Sequence, residues 1–412
     1  MSQRESGLVY DWNLGGRRPH PRRSVEFDDE TLRDGLQSPS VRSPRLADKL
    51  ALLHAIAAIG ITSADVGMPG AGERVAGEVE ALCREIVRAR LPIRPNCAAR
   101  TLESDIAPVL AIQQRAGIPV EVALFAGSSP IRLSVEGWTL ADVLRRAERA
   151  ITLARDHGAP VLFVTEDTTR SRPEDLGALF LVAARSGASR VCIADTAGHA
   201  TPLTVVRLVR FVRRTLAEAG FAEVGIDWHG HNDRGLAVAN ALTAAWAGAG
   251  RLHATALGVG ERVGNPPMEQ LLVNAALEGF ASPRLEAVGA YVEQAARMLG
   301  MSIPPLAPVV GRDAFRTATG VHAAAILKAR ARGDDETVDL VYSAVPASRL
   351  GRAQEIEVGP MSGGANVRWW LAAHGYPLDA QLVSRILVAA KRMDRILTDD
   401  ELNALVSGGA VD

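Results

Sequence analysis

The chain has 412 residues, 47% hydrophobic and 23% charged, so it folds around a substantial core and is not a disordered polymer. Its 46 Lys and Arg against 47 Asp and Glu leave a net charge of -1, which argues against a nucleic-acid or polyanion binder. Three cysteines (Cys83, Cys97 and Cys192) without CxxC spacing, a polar N-terminus lacking an apolar signal core, and no long apolar run argue against a disulfide framework, a secreted product and a membrane span; they predict core cysteines in a reducing cytosol.

A polar extension covers residues 1–23. Eight strand candidates then follow in chain order: Val25–Asp28, Ser63–Gly67, Ile93–Cys97, Glu121–Ala126, Pro160–Val164, Arg190–Ala194, Gly225–His229 and His253–Gly258. Between them lie stretches such as TLADVLRRAERAITLARDHGA and TPLTVVRLVRFVRRTLAEAGF, apolar at i, i+3, i+4 and i+7. Eight strand–helix alternations predict an α/β fold, a (β/α)8 TIM barrel over residues 24–285. A doubly wound sheet would open with a glycine-rich phosphate loop, and DDETLRDGLQ stands there instead. After residue 285 come the helix AYVEQAARMLG and a Pro-rich linker, SIPPLAPVVG. Further helical segments follow, and residues 286–412 read as a small, mainly helical C-terminal subdomain.

HGHND, residues 229–233, sets His229 and His231 on one face of an extended segment. By itself this is metal-ligand spacing or a solvated turn. The barrel expectation decides between them, because functional groups collect where barrel strands end. The first strand ends in Arg33, Asp34 and Gln37, the seventh in HGHND, and the eighth in GVGERVGN. Asp34, His229, His231 and Asn265 make a carboxylate, imidazole and amide set without thiolate. That suits Mg2+, Mn2+, Co2+ or catalytic Zn2+ rather than a closed structural zinc.

LRDGLQ, HGHND and GVGERVGN, in this order, resemble the signatures of the DRE-TIM metallolyase superfamily, and more narrowly its Claisen-condensing branch of 2-isopropylmalate, homocitrate and citramalate synthases. The resemblance runs from about residue 24 to about 370. It implies a metal-dependent condensation of acetyl-CoA with a small 2-oxo acid, as in leucine biosynthesis. It implies Asp34, His229, His231 and Asn265 at the metal and Arg33 at the developing alkoxide. Glu166 and Thr196 match an acidic active-site residue and a carboxylate-binding threonine. GVHAAAILK and VYSAVPASRLGR resemble segments that supply a catalytic histidine, His322, and a nearby tyrosine, Tyr342. SSPIR brings Ser129 to the substrate side. A homodimer sharing its active sites is a further implication.

The chemistry of the step agrees with these roles. A divalent ion polarises the keto group, an arginine stabilises the alkoxide, and a histidine removes the acetyl proton. Gln37, Asp65, Asn96, Thr196 and Ser129 are expected to contact substrate. Arg100 is a candidate partner for a second carboxylate, while Met68 and Ala98 offer apolar surface and favour 2-oxoisovalerate. Asp65 and Met68 replace the usual Glu and Phe of the family, which leaves another 2-oxo acid open. The reverse reaction, that of a 3-hydroxy-3-methylglutaryl-CoA lyase, is disfavoured because GVGERVGN lacks the lyase cysteine. A barrel that has lost catalysis is disfavoured because every metal-site residue is present. The chain ends at Asp412 without the further leucine-binding domain usual in isopropylmalate synthases, so no leucine feedback is expected.

Overall fold

A computed structural model describes residues 8–10, 12–13 and 24–409, so most of the expected extension lies outside the described residues. Eight parallel strands close into a barrel in sequence order: β1 (Glu26–Asp29), β2 (Ser63–Asp65), β3 (Arg94–Arg100), β4 (Glu121–Gly127), β5 (Val161–Glu166), β6 (Arg190–Asp195), β7 (Gly225–Gly230) and β8 (Arg251–Ala254). Closure comes from β8 lying beside β1, with Glu26 opposite Arg251 and Asp29 opposite Ala254. The expected (β/α)8 architecture is the one found.

Local chemistry starts and stops the helices between these strands. Leu140–Asp156 opens on a capping box in which Thr139 and Asp142 exchange side-chain and backbone hydrogen bonds. Pro173–Ser186 opens on a proline and closes on Gly187 at φ 104°, a backbone conformation suited to glycine. The predicted strands fall within a few residues of those observed, except the eighth. It was expected at His253–Gly258 and is found at Arg251–Ala254, because Leu257 takes a left-handed φ of 58° and turns the chain out of the sheet.

The described chain divides into two compact units, one running to Ile303 and the other from Pro304 onward. Helix Val288–Leu299 belongs with the barrel: Tyr291 is fully buried and donates its hydroxyl hydrogen bond to Asp29. The second unit contains a two-residue parallel pair, Arg316–Thr317 with Glu355–Ile356, and is otherwise mainly helical. Val358, Val367, Trp370, Leu371, Ile386 and Leu405 are among the residues of its core.

The barrel interior is unusual in chemistry. Barrel interiors are normally filled by bulky branched side chains, but here one layer is charged. Arg251 donates to Asp227 at 2.7 Å, to Glu121 at 2.6 Å and to the Ser63 hydroxyl at 3.2 Å. Arg190 Nε donates to the other Asp227 oxygen at 2.7 Å. Burial opposes charge on Asp227, but the two guanidinium groups outweigh it and hold the carboxyl below the usual range. Beyond this layer, β4, β5 and β6 contribute the buried cluster Ala123, Leu162 and Cys192. Two of these three side chains are small, so space remains between β3 and β6.

Candidate active site

Strand alternation decides which groups face that space. Glu30 follows Asp28 by two positions, His231 follows His229 by two, and the inward face of β3 presents Asn96 and Ala98. A cavity of about 250 Å³ results. One wall is polar: Glu30, Arg33, Asp34, Gln37, Asp65, Asn96, His229, His231 and His253. The other is mainly apolar: Met68, Ala98, Ala123, Phe125, Leu162, Val164, Cys192 and Ala194, with Glu166 and Thr196 on the same strands β5 and β6 or just past them.

Asp34, His229 and His231 converge. His229 Nε2 lies 3.3 Å from His231 Nε2, and Asp34 Oδ2 lies 3.6 Å from the first and 3.8 Å from the second. Ligand atoms about 2.1 Å from a shared tetrahedral or octahedral ion stand about 3.0–3.4 Å apart, so the two histidines already fit and Asp34 needs to move by less than about 1 Å. Burial and the neighbouring His229 push His231 down to about 4, which keeps its ring neutral with a lone pair available. Asn265 Nδ2 donates to Asp34 Oδ2 at 2.8 Å, and its own Oδ1 is buried without a partner. An orphaned acceptor beside this triad fits a cation. The residues present therefore fit a divalent ion.

The loop after β8 reaches this place only because it is glycine-rich. A Cβ at Gly264 would sit 1.8 Å from the Gly258 carbonyl oxygen, and one at Gly260 would sit 2.0 Å from Asn265 Oδ1. Three carboxylates hold Arg33: Nε to Asp65 at 2.7 Å, Nη2 to Glu30 at 3.0 Å and Nη1 to Asp34 at 3.4 Å. Burial outweighs Arg33 and pushes Asp65 up to about 7. Glu166 accepts from Arg132 Nε at 2.8 Å, and the Thr196 hydroxyl accepts from the Asp167 backbone N–H at 2.8 Å.

Of the residues expected at the site, Arg33, Asp34, Gln37, Asp65, Asn96, Glu166, Thr196, His229 and His231 line the cavity, and Asn265 bonds Asp34. Arg100 and Ser129 do not line it. Arg100 clamps Asp105 through Nε at 2.7 Å and Nη2 at 2.9 Å, because helix Glu103–Ala116 carries that carboxylate back to the strand end. Ser129 caps helix Pro130–Glu136 and bonds Asp167, as a Ser before Pro signals in sequence. His322 and Tyr342 lie in the second unit, stacked at 3.8 Å between ring centroids. The three cysteines are buried as expected, and Cys192 also faces the cavity.

Glu30 and His253 escaped the motif reading. Glu30 accepts from His253 Nδ1 at 2.9 Å through one oxygen and meets His229 Nδ1 at 2.9 Å through the other. His253 Nε2 reaches Asp227 at 3.1 Å. Burial opposes charge on His253, but the two carboxylates outweigh it and push it up to about 10. Only the inward alternation of β1 and β8 could have pointed to the pair.

A family model described as HMGL-like matches residues 24–288. A probable 2-isopropylmalate synthase of Ignicoccus hospitalis is 31% identical over 93% of this chain and 92% of its own length. A putative (R)-citramalate synthase of Methanopyrus kandleri is 32% identical over 93% of this chain and 72% of its own. The solved hydroxymethylglutaryl-CoA lyase of Pseudomonas aeruginosa shares the fold at TM-score 0.58 and 21% identity, covering 68% of this chain and 95% of that one. The Bacillus subtilis HMG-CoA lyase does so at TM-score 0.58 and 18% identity, covering 70% and 97%. The chain belongs to the HMGL-like family of DRE-TIM barrels. Within that family it is an enzyme of the Claisen-condensing branch, similar to the 2-isopropylmalate synthases.

Proposed function

We propose that this enzyme condenses acetyl-CoA with an apolar 2-oxo acid, 2-oxoisovalerate above others, and releases a 2-alkylmalate and CoA. The acetyl methyl loses a proton, its carbon bonds the keto carbon, and the keto oxygen becomes an alkoxide that is then protonated. Water cleaves the thioester, and the thiolate of CoA leaves with a proton.

The observation that carries this reading is a convergent Asp34–His229–His231 set facing a cavity with one polar and one apolar wall. A divalent ion held by these three residues, with Asn265 beside them, would supply Lewis-acid polarisation of the keto group. Arg33 is already fixed before substrate arrives, so its donors stabilise an alkoxide without reorganising. Thr196, Gln37 and Asn96 offer polar contacts for the acid's carboxylate end, and Glu166 a carboxylate for proton handling. His322 and Tyr342 carry a role through their segments' resemblance: His322 is assigned removal of the acetyl proton.

The apolar wall supports the substrate choice. Both arginines lining the cavity are already paired, Arg33 with three carboxylates and Arg262 with Asp233 at 2.8 Å and the Thr196 carbonyl at 2.6 Å. With Arg33 committed to the alkoxide and Arg262 paired, a second carboxylate, as in 2-oxoglutarate, meets no further lining arginine. A volume of about 250 Å³ is below that of pockets for drug-sized ligands and suits a branched acid with an acetyl group. We read the protein as a cytoplasmic homodimer on the same resemblance; no described helix is long and apolar enough to cross a membrane.

The test is CoA release from acetyl-CoA with 2-oxoisovalerate, pyruvate, 2-oxoglutarate, oxaloacetate and an aromatic 2-oxo acid, with Mg2+ or Mn2+ and with EDTA. Release with 2-oxoisovalerate that EDTA abolishes is expected. A preference for 2-oxoglutarate would replace the substrate assignment, and cleavage of 3-hydroxy-3-methylglutaryl-CoA without any condensation would replace the reaction.

A further inference from the structure

Glu30 is one carboxylate shared by two buried histidines of different strands. One oxygen stands 2.9 Å from His229 Nδ1, the other 2.9 Å from His253 Nδ1. The oxygen facing His229 has no other partner, and a carboxylate only accepts, so the proton that satisfies it sits on His229 Nδ1. That tautomer carries its lone pair on Nε2, the atom 3.6 Å from Asp34 Oδ2 and 3.3 Å from His231 Nε2. We propose that Glu30 is the positioning residue of the metal centre: it fixes the His229 tautomer and ring plane so that Nε2 faces the ion, and His253 pins Glu30 in turn.

Three observations support this over the alternative in which Glu30, His229 and His253 bind a cation themselves. Glu30 meets His253 Nδ1 in a 2.9 Å hydrogen bond, and its other oxygen, otherwise without a partner, faces His229 Nδ1 at the same distance. His253 Nε2 is occupied by Asp227 at 3.1 Å, which completes a chain from His229 to the charged layer of the barrel. The packing also leaves Glu30 no freedom: it is 3% exposed, and Arg33 Nη2 lies 3.0 Å from the oxygen that His253 shares. A metal-ligating histidine whose second nitrogen is held by a carboxylate is a general way of orienting such ligands, and losing that partner typically weakens metal binding by about 10- to 100-fold.

The inference rests on Asp34, His229 and His231 as the metal site, and the experiment separates the two. Titration of the metal-free protein with Co2+, followed by calorimetry and by the visible absorption of the bound ion, is expected to give one ion per chain. Glu30→Gln and Glu30→Asp are each expected to bind it about 10- to 100-fold more weakly with an altered spectrum. Glu30→Asp keeps the charge but shortens the reach, so it decides the matter if Glu30→Gln does not fold. Histidine-selective ¹⁵N NMR of the metal-free wild type is expected to show His229 protonated at Nδ1. Unchanged Co2+ affinity in both variants, an Nε2–H tautomer in the wild type, or two ions per chain with Glu30 as a ligand each overturn the inference. Absence of any Co2+ binding by the wild type would instead sink the metal site itself.

Discussion

Arg33 Nε donates to Asp65 Oδ2 at 2.7 Å, and the same guanidinium meets Glu30 and Asp34. A planar fork holding three carboxylates cannot be copied by an ammonium group. Arg33→Lys is therefore expected to lower kcat by about 10²- to 10³-fold, the usual loss when one oxyanion donor is removed. The KM for the 2-oxo acid should change less. Steady-state kinetics check this, and a loss confined to KM would make Arg33 a binding residue.

Removing a ligand atom should be harsher than disturbing an outer partner. Asp34→Asn and His231→Ala are each expected to weaken Co2+ or Mn2+ binding by more than the roughly 100-fold upper range for outer-shell losses. Both should keep the far-ultraviolet circular dichroism of the wild type. Calorimetric titration reads the affinity, and retention of wild-type affinity in either variant would remove that residue from the metal set.

Glu269 is fully buried, and its carboxylate accepts from the Leu257 backbone N–H at 3.0 Å, fastening the left-handed turn after β8. Burial pushes its pKa from 4.5 up to about 7. The folded protein thus holds this proton more tightly than the unfolded chain does. The associated stability is fully present below about pH 4.5 and is lost as pH rises through about 7. Glu269→Gln has no proton to lose. Its stability relative to wild type is expected to improve between pH 5 and 8 by up to about 3 kcal/mol, from roughly 1.4 kcal/mol per pKa unit. Urea unfolding at both pH values checks it, and a pH-independent difference would count against the burial argument.

Ala123 forms part of the apolar end of the cavity with Leu162 and Cys192. Ala123→Leu adds three carbons to that space. Selectivity, as the ratio of kcat/KM for 2-oxoisovalerate to that for pyruvate, is expected to fall by about 10-fold or more, within the range for a pocket changed by a methylene or two. Overpacking of a filled core would instead destabilise by about 1–3 kcal/mol. A large drop in melting temperature with unchanged selectivity would mean that substrate does not reach this end.

Much of this site was legible because barrel chemistry obeys a period of two. HxH follows from alternation along the chain, and the RDG turn and the residues of β2 and β3 from where barrel strands end and from the family resemblance. Arg100 pairs with Asp105, five residues on, a contact the sequence does not announce because it forms only once helix Glu103–Ala116 turns back. The end of β8 was misread because an apolar sequence conceals a left-handed leucine. Glu30 and the charged layer stayed hidden for a different reason. Their members are scattered one or two to a strand, and their partners lie up to 223 residues away, as for Glu30 and His253.

That layer has a bearing on how the chain reaches its native state. Arg251, on the last strand, meets Asp227, Glu121 and Ser63, all on strands that precede it in the chain. Until β8 docks, Glu121 lacks its guanidinium partner and Asp227 keeps only Arg190, so drying the layer without Arg251 costs several kcal/mol. A fragment lacking β8 cannot dry its interior, and shedding water from the barrel becomes a single cooperative event tied to closure of the ring.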